Sequence, residues 1–193
     1  MFVQKKIMVI VLLISIIVVS GCAQNTGNDN LTNSSDTTSS ISDLDNYSLD
    51  SLVIVEQLPD GYEILGILPI SNYDTYSENI VDAREGAYRD IDNFDVFLDI
   101  IELNSEQAAL EFISSYKAQY EPLDTRDNFT TIQFTTIHFN GHDATRITRY
   151  RISGGTQLPK YQIIWNNENV VFVVISNSHL ESSSLELAKA TGH

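Results

Sequence analysis

Residues 94–120 read FDVFLDIIELNSEQAALEFISSYKAQY, and the pattern of this stretch changes once, at Asn104-Ser105. Before that point apolar residues occupy every second position or more, which predicts an inner β-strand over 94–103. After it, apolar residues recur at i, i+3, i+4, i+7 and i+11, which predicts a helix that Asn104 or Ser105 caps and Pro122 ends. This stripe comprises Ala109, Phe112, Ile113, Tyr116 and Tyr120. Such a stripe is typical of a helix packed on a sheet.

Two further strands precede this unit. Residues 62–68 predict a short strand, which the Leu-Pro-Asp-Gly turn at 58–61 introduces. Residues 71–82 are polar and predict an irregular loop. Residues 85–91 predict the second strand, and Asp92-Asn93 joins it to the inner strand through a tight hairpin.

A long hairpin follows the helix. Residues 129–139 and 142–152 flank Asn140-Gly141, which is the strongest short-range hairpin signal. In the first hairpin strand, Ile132 and Phe134 would point to one face, whereas Ile137 and Phe139 would point to the other. This change predicts a bulge near Thr135-Thr136.

The C-terminal residues predict two more strands and a helix. A loop at 153–156 leads to a strand at 161–165, and a turn then leads to an unbroken apolar run at 170–175. Such a run is typical of a central strand covered on both faces. Residues 180–190 predict a closing helix with Gly192 as its C-terminal cap. Its predicted inner side is Leu180, Ser184, Leu187, Ala188 and Thr191.

The order of elements predicts the α+β class, with an antiparallel β-sheet of about six or seven strands packed with two helices. The chain has a Leu-Pro-x-Gly-Tyr opening at 58–62, a strand pair before one long helix, a long hairpin, a strand that contains Trp165 and a last helix. In this order it resembles the Mog1/PsbP-like group, which includes lipid-anchored proteins, over residues 52–193. The resemblance implies an α-β-α sandwich with binding or assembly roles, and it implies no catalytic residues.

The N-terminal residues predict export and lipidation. Two lysines precede an apolar run at 7–19, which is too short to span a membrane because a span needs about 20 residues. Val19-Ser20-Gly21-Cys22 resembles the lipobox of prokaryotic lipoproteins, which implies cleavage before Cys22 and a lipid on its thiol. We therefore expect a signal peptide at 1–21 and a cell-membrane location, lipid-anchored on the extracytoplasmic side. The alternative is an ordinary cleaved signal whose leftover cysteine has no role.

The rest of the mature chain divides by composition. Residues 22–50 are rich in Asn, Ser, Thr and Asp and predict the lipidated cysteine followed by a disordered tether. Residues 51–193 predict a single globular domain. Four N-x-Ser/Thr triplets would carry glycans only in a host that glycosylates exported proteins. They begin at Asn30, Asn33, Asn46 and Asn128.

The charge balance limits the classes of partner. After cleavage the mature chain contains 9 Lys and Arg against 26 Asp and Glu. This acidity argues against nucleic acid, whose binding needs cations that neutralise phosphates. It also argues against close contact with anionic lipid headgroups. The general alternative is that the acidity provides solubility.

The chain lacks the known motifs for catalysis, metal binding and cofactor binding. It has no Gly-x-Ser-x-Gly and no phosphate-binding glycine loop, and we expect no cofactor and no metal site. His138 and His142 would point to opposite faces of a hairpin that turns at Asn140-Gly141, so they could not share one ion. A calcium loop that began at Asp90 would need glycine at its sixth position and glutamate at its twelfth, where the chain has Asp95 and Ile101, so a hairpin turn explains residues 90–95 better. The alternative is weak calcium binding by surface carboxylates.

The arginines cluster on two predicted strands. Arg84 and Arg89 lie near the earlier strand, whereas Arg146, Arg149 and Arg151 lie on the second strand of the long hairpin. Arg149 and Arg151 share a face and therefore predict an anion site for a carboxylate or a phosphate. The alternative is cross-strand pairing of the arginines with nearby acids.

Three functional hypotheses follow. The first is a non-catalytic, lipid-tethered domain that binds a partner protein or a small ligand at the cell surface. The second is a hydrolase or transferase that acts on envelope polymers through carboxylates such as Asp95, Asp99 and Glu102. The third is a purely structural surface protein.

Overall fold

A computed structural model describes residues 48–70, 73, 77–120 and 129–193. The predicted signal peptide, Cys22, Pro122 and the asparagines of the four N-x-Ser/Thr triplets lie outside these residues. The elements in chain order are α1 (Leu49–Leu52), β1 (Glu63–Pro69), β2 (Ile80–Arg89), β3 (Asp95–Leu103), α2 (Glu106–Ala118), β4 (Phe129–Phe139), β5 (His142–Ser153), β6 (Thr156–Asn167), β7 (Val170–Ser176) and α3 (Glu181–Ala190).

The seven strands form one antiparallel sheet in the order β1-β2-β3-β7-β6-β5-β4. This confirms the predicted α+β class and the predicted antiparallel sheet. The described residues contain three helices rather than two, because the one-turn helix α1 precedes the sheet. α1 and the residue after it bury Leu49 and Val53 in the core, and Leu49 falls within the stretch that the sequence assigned to the tether.

The strand–helix unit at the centre of the chain forms as predicted. Ser105 caps the N-terminus of α2, and its hydroxyl accepts a hydrogen bond from the backbone N–H of Ala108 at 3.2 Å, which satisfies one of the unpaired donors of the first turn. The apolar stripe is buried at Ala109, Phe112 and Tyr116. α2 therefore packs on the sheet.

β7 is the central strand, with β3 on one side and β6 on the other. Val171 and Val173 lie on the sheet face that α2 covers, whereas Phe172 and Val174 lie on the face that α1 and α3 cover. All four side chains are fully buried, which confirms the predicted doubly covered strand. We call these two surfaces of the sheet the α2 face and the α3 face.

The predicted bulge near Thr135-Thr136 is wrong. β4 pairs with β5 in continuous register from Ile132 to Phe139, and the register shift lies earlier, between Phe129 and Ile132. The apolar residues change parity because the two ends of β4 serve different cores. Ile132 packs against the core of the α2 face, whereas Ile137 and Phe139 belong to the core of the α3 face.

Two strands are longer than predicted. β2 begins at Ile80, inside the expected loop, and β6 begins at Thr156. Gly154 and Gly155 have φ angles of 57° and 82° and form a two-residue turn between β5 and β6, a backbone conformation that favours glycine. Pro159 is tolerated in β6 because β7 pairs only with residues 162–167, so the earlier part of β6 has β5 as its one partner strand.

The closing helix begins one residue later than predicted and presents a different inner side at its start. Leu180 is exposed, so its predicted inward position is wrong. Ser183 is buried instead, and its hydroxyl donates a hydrogen bond to Asp90 Oδ2 at 2.6 Å. Leu187 and Ala188 are buried as predicted, and Gly192, with φ 76°, follows the helix end.

Candidate functional site

The two halves of the sheet carry opposite charge. Residues 63–103, which span β1 to β3, contain ten acids and two arginines, whereas residues 129–167, which span β4 to β6, contain one acid and four cations. We call these the acidic half and the basic half. The basic half is therefore the more positive half of the sheet in this acidic chain.

Most arginines of the sheet have an acid partner. Arg84 Nε lies 2.7 Å from Asp50 Oδ1, and Arg84 also pairs with Asp82. Arg89 pairs across the strands with Asp95 at 3.2 Å. On the α3 face, Arg146 pairs with Glu181 of α3. The alternative reading of the sequence, cross-strand pairing with acids, holds for Arg89, whereas Arg84 and Arg146 find acids in helices or, for Asp82, on the same strand.

A cationic cluster remains on the α2 face of the basic half, made of Arg149, Arg151 and Lys160. Arg149 and Arg151 lie two residues apart on β5, and Lys160 lies directly opposite Arg149 on β6. Burial and then the charges of Arg151 and Arg149 lower the pKa of Lys160 below its ordinary value. Among the described residues no acid forms an ion pair with Arg151 or Lys160. Lys160 donates instead to the backbone carbonyl of Asn177.

Aromatic rings border this cationic cluster. The guanidinium carbon of Arg149 lies 5.5 Å from the ring centre of Tyr120, which is a favourable cation–π distance. The hydroxyl of Tyr120 donates to Gln162 Oε1 at 2.6 Å, and this hydrogen bond holds the ring beside β6. Lys117 of α2 lies 6.0 Å above the ring of Phe134 on β4. The cluster thus combines several cations with flat apolar surfaces.

The acidic half contains one carboxyl group in an unusual environment, that of Asp99 on β3. Its side chain lies on the α2 face and is only 3% exposed. The hydroxyl of Tyr73 donates to Asp99 Oδ2 at 2.5 Å, and Oδ1 has no donor among the described residues. Burial, and to a lesser extent the nearby Glu85, raise the pKa of Asp99 to about 7. This buried group therefore keeps its proton to a higher pH than an ordinary aspartate does.

The carboxylates that the enzyme hypothesis named do not meet. Asp95 pairs with Arg89, and Glu102 lies on the opposite face of β3 from Asp99. The residue opposite Asp99 is Glu85 of β2. A two-residue turn at Asp92-Asn93 would have placed residue 86 opposite Asp99. The real loop is longer and shifts the pairing by one residue.

The hydrogen bonds of Asp90 explain the shape of this loop. Asp90 Oδ1 accepts hydrogen bonds from the backbone N–H groups of Asp92, at 3.0 Å, and Phe94, at 2.8 Å. Asn93 adopts a positive φ of 63° within it. Its acids thus shape a hairpin, which is the explanation that the sequence favoured.

The histidine pair adopts the predicted register. His138 lies opposite Asp143, and His142 lies opposite Phe139. His138 Nδ1 is 2.5 Å from Asp143 Oδ1, and both side chains are largely exposed. No group of three or more metal-ligating side chains occurs within residues 48–70, 73, 77–120 and 129–193.

Comparison with known proteins gives little likeness. No family model and no curated protein matches the chain. A crystal structure of LpqN, a protein involved in cell envelope biogenesis of Mycobacterium tuberculosis, is similar over 69% of this chain and 75% of its own, with 16% identity and a TM-score of 0.36. Within the described part of the chain, every helix is too short or too polar to cross a membrane.

Proposed function

We propose that the chain is a lipid-anchored, extracytoplasmic protein whose folded part binds an anionic ligand, without turning it over, through Arg149, Arg151 and Lys160. The observation that carries this proposal is the contrast in pairing. Arg84, Arg89 and Arg146 have acid partners, whereas Arg151 and Lys160 share one face with no ion-paired acid within the part of the chain that the structure describes.

The energetics of the cationic cluster favour an anion. Bringing like charges together raises the free energy of the ligand-free site, and the lowered pKa of Lys160 reflects burial first and then repulsion from Arg151 and Arg149. A bound carboxylate or phosphate would relieve the repulsion. Arginine also offers two parallel N–H donors to such a group, and charge-assisted hydrogen bonds of this kind are about twice as strong as neutral ones.

A titration of the mature chain, residues 22–193 with Cys22→Ser, tests the site. Inorganic phosphate and tripolyphosphate serve as probes and calorimetry as the readout, at low and at physiological salt. We expect the triple variant Arg149→Gln, Arg151→Gln, Lys160→Gln to lose affinity by more than about tenfold, since each charge contributes to phosphate binding.

The matched control removes cations from the acidic half. The double variant Arg84→Gln, Arg89→Gln takes away arginines that already have acid partners, so its affinity for phosphate should stay close to that of the parent chain. Equal losses in both variants, or no loss in the triple variant, would contradict the proposed site.

The anchor is part of the same proposal. The lipobox-like residues 19–22, the polar residues after them and the likeness of element order to the Mog1/PsbP-like group support a tethered binding domain. Intact-mass analysis of the protein from its native host tests this step. We expect the mass of a chain that begins at Cys22 and carries lipid. The mass of an uncleaved chain with an unmodified cysteine would overturn the anchor.

A second candidate function is a hydrolase or transferase of envelope polymers, and Asp99 is the observation that favours it. A carboxyl group with a pKa of about 7 beside a second carboxyl group is suited to transfer protons at neutral pH. Glu85, which is half-buried, would be the member that reaches a substrate. Turnover of cell-wall or ester substrates that Glu85→Gln abolishes and Glu102→Gln retains would establish this candidate over the binding proposal.

A further inference from the structure

The two edge strands of the sheet differ in how well they are protected against pairing with another chain. β1 is short, shifts register between Ile64 and Gly66, and ends at Pro69, which has no N–H to donate. Register shifts, prolines and charges are the usual means by which proteins block edge pairing. β1 is therefore a protected edge.

β4 lacks these protections over most of its length. It is 11 residues long, and from Ile132 to Phe139 it pairs with β5 without a register shift. This stretch contains no proline, glycine, lysine or acid. Residues 133–136 are exposed at every position, on both faces, and no strand of the described chain pairs with the outer side of β4. The edge thus offers a regular row of backbone donors and acceptors.

Cations flank this edge on the α2 face. Lys117 stands over Phe134 of β4, Arg149 lies opposite Ile132 in the neighbouring strand, and Arg151 lies opposite Phe129. A strand added outside β4 would lie about 10 Å from β5, which is two strand spacings. Long cationic side chains can reach across one strand to the added strand. These cations therefore favour an added strand with acidic side chains.

We propose that β4 accepts, as an eighth strand, an extended segment of a partner protein that carries acidic side chains at alternate positions. Alternation is required because successive side chains of a strand point to opposite faces, and the flanking cations lie on one of them. Backbone hydrogen bonds then supply affinity and the acids supply the choice of partner. This inference rests on the proposed function, since Arg149 and Arg151 contribute to both.

Synthetic peptides test the inference on the mature chain, residues 22–193 with Cys22→Ser. The probe is a capped nine-residue peptide that alternates Val or Thr with Glu. One control peptide replaces each Glu with Gln, and a second places Pro at the central position. Amide hydrogen exchange of residues 132–139, followed by NMR, reports where the peptide binds.

The inference predicts that the acidic peptide slows exchange at alternate amides of β4. It also predicts that the Gln peptide and the Pro peptide each bind more than about tenfold more weakly, since they lose the charge contacts and the backbone register respectively. Slowed exchange at β4 in the absence of peptide, together with dimers in sedimentation analysis, would overturn the inference in favour of a second copy of this chain.

Phosphate binding separates failure of this inference from failure of the proposed function. If phosphate binds at Arg149, Arg151 and Lys160 while the acidic peptide leaves β4 exchange unchanged, strand addition is wrong and the anion site stands. If neither probe binds, both are wrong. Equal binding of the acidic and proline-containing peptides would also refute strand addition, because it would show attraction by charge alone.

Discussion

The acidic half and the basic half of the sheet differ in whether their cationic side chains have acid partners. In the acidic half Arg84 and Arg89 each have acid partners, and Asp99 is held partly protonated by burial. In the basic half Arg151 and Lys160 lie together without an ion-pair partner among the described residues. A formal net charge of −15 for the whole chain thus coexists with a local cluster of cations.

The largest expected effect concerns Asp99. Its folded-state pKa of about 7 exceeds the ordinary value of 3.8, so the native state keeps a proton that the unfolded state has lost. The stability that this proton contributes is complete below about pH 4 and is lost as the pH rises through about 7. Asp99→Asn stays neutral and should therefore raise the free energy of unfolding at pH 8, relative to the parent chain, by on the order of 2–4 kcal/mol.

Urea unfolding at pH 5 and at pH 8 measures this effect. The free energy of unfolding should depend less on pH in the variant than in the parent chain. Glu102→Gln, on the other face of the same strand, is the control and should keep the parental dependence. An Asp99→Asn chain whose unfolding free energy changed between pH 5 and pH 8 as much as that of the parent would show that Asp99 titrates normally.

The next largest effect should follow a substitution that gives an arginine of the basic half an acid partner on the neighbouring strand. Leu158 lies opposite Arg151 across β5 and β6, as Asp95 lies opposite Arg89 across β2 and β3. Leu158→Glu gives Arg151 an acid partner and adds a negative charge to the cationic cluster. We expect phosphate affinity, measured by calorimetry, to fall about tenfold. Leu158→Gln is the control, and an equal fall there would attribute the loss to packing.

A smaller difference in stability should separate variants of Arg89 and Arg151, each of which follows a tyrosine. Arg89→Gln breaks a partly exposed ion pair with Asp95 and should cost about 0.5 kcal/mol of unfolding free energy. Arg151→Gln removes a like charge from beside Lys160, so it should cost nothing or stabilise slightly. Thermal unfolding of the two variants side by side provides the measurement. A greater loss at Arg151 would mean that its charge is already compensated.

The smallest effect is that of salt. Screening weakens repulsion among the many acids of the chain, so raising the salt concentration from low to physiological should stabilise the fold by a few tenths of a kcal/mol, about the size of a surface charge effect. The same change should weaken phosphate binding. Unfolding and binding measured in the same buffers test both signs. Stability that falls with salt would show that attraction, not repulsion, dominates the surface charges.

Local patterns of the sequence predicted most of the fold. The strand–helix unit at 94–120, the hairpin at Asn140-Gly141 and the apolar run at 170–175 each depend on neighbours close in the chain, and each forms as expected. The bulge in β4 was wrongly predicted because its apolar residues switch from one face of the strand to the other. They do so because the two ends of β4 pack against different cores, which only the tertiary structure defines.

The candidate site was predictable only in part. Arg149 and Arg151 share a face because strand residues two apart always do. Lys160 was missed because the predicted strand began only at residue 161, whereas β6 begins at Thr156 and so places Lys160 opposite Arg149. Glu85 was missed because one extra loop residue shifts the register that pairs it with Asp99.

The most direct test of the account is the titration of the Lys160 ammonium group by lysine-selective NMR, with and without tripolyphosphate. The mature chain contains only Lys117, Lys160 and Lys189, so the signals are few, and Lys189 on α3 serves as the internal reference. We expect a pKa below 10.5 for Lys160 in the ligand-free chain, because of burial and the two arginines, and a rise when the anion binds. A Lys160 pKa at or above 10.5 that the anion leaves unchanged would contradict the cationic cluster as a binding site.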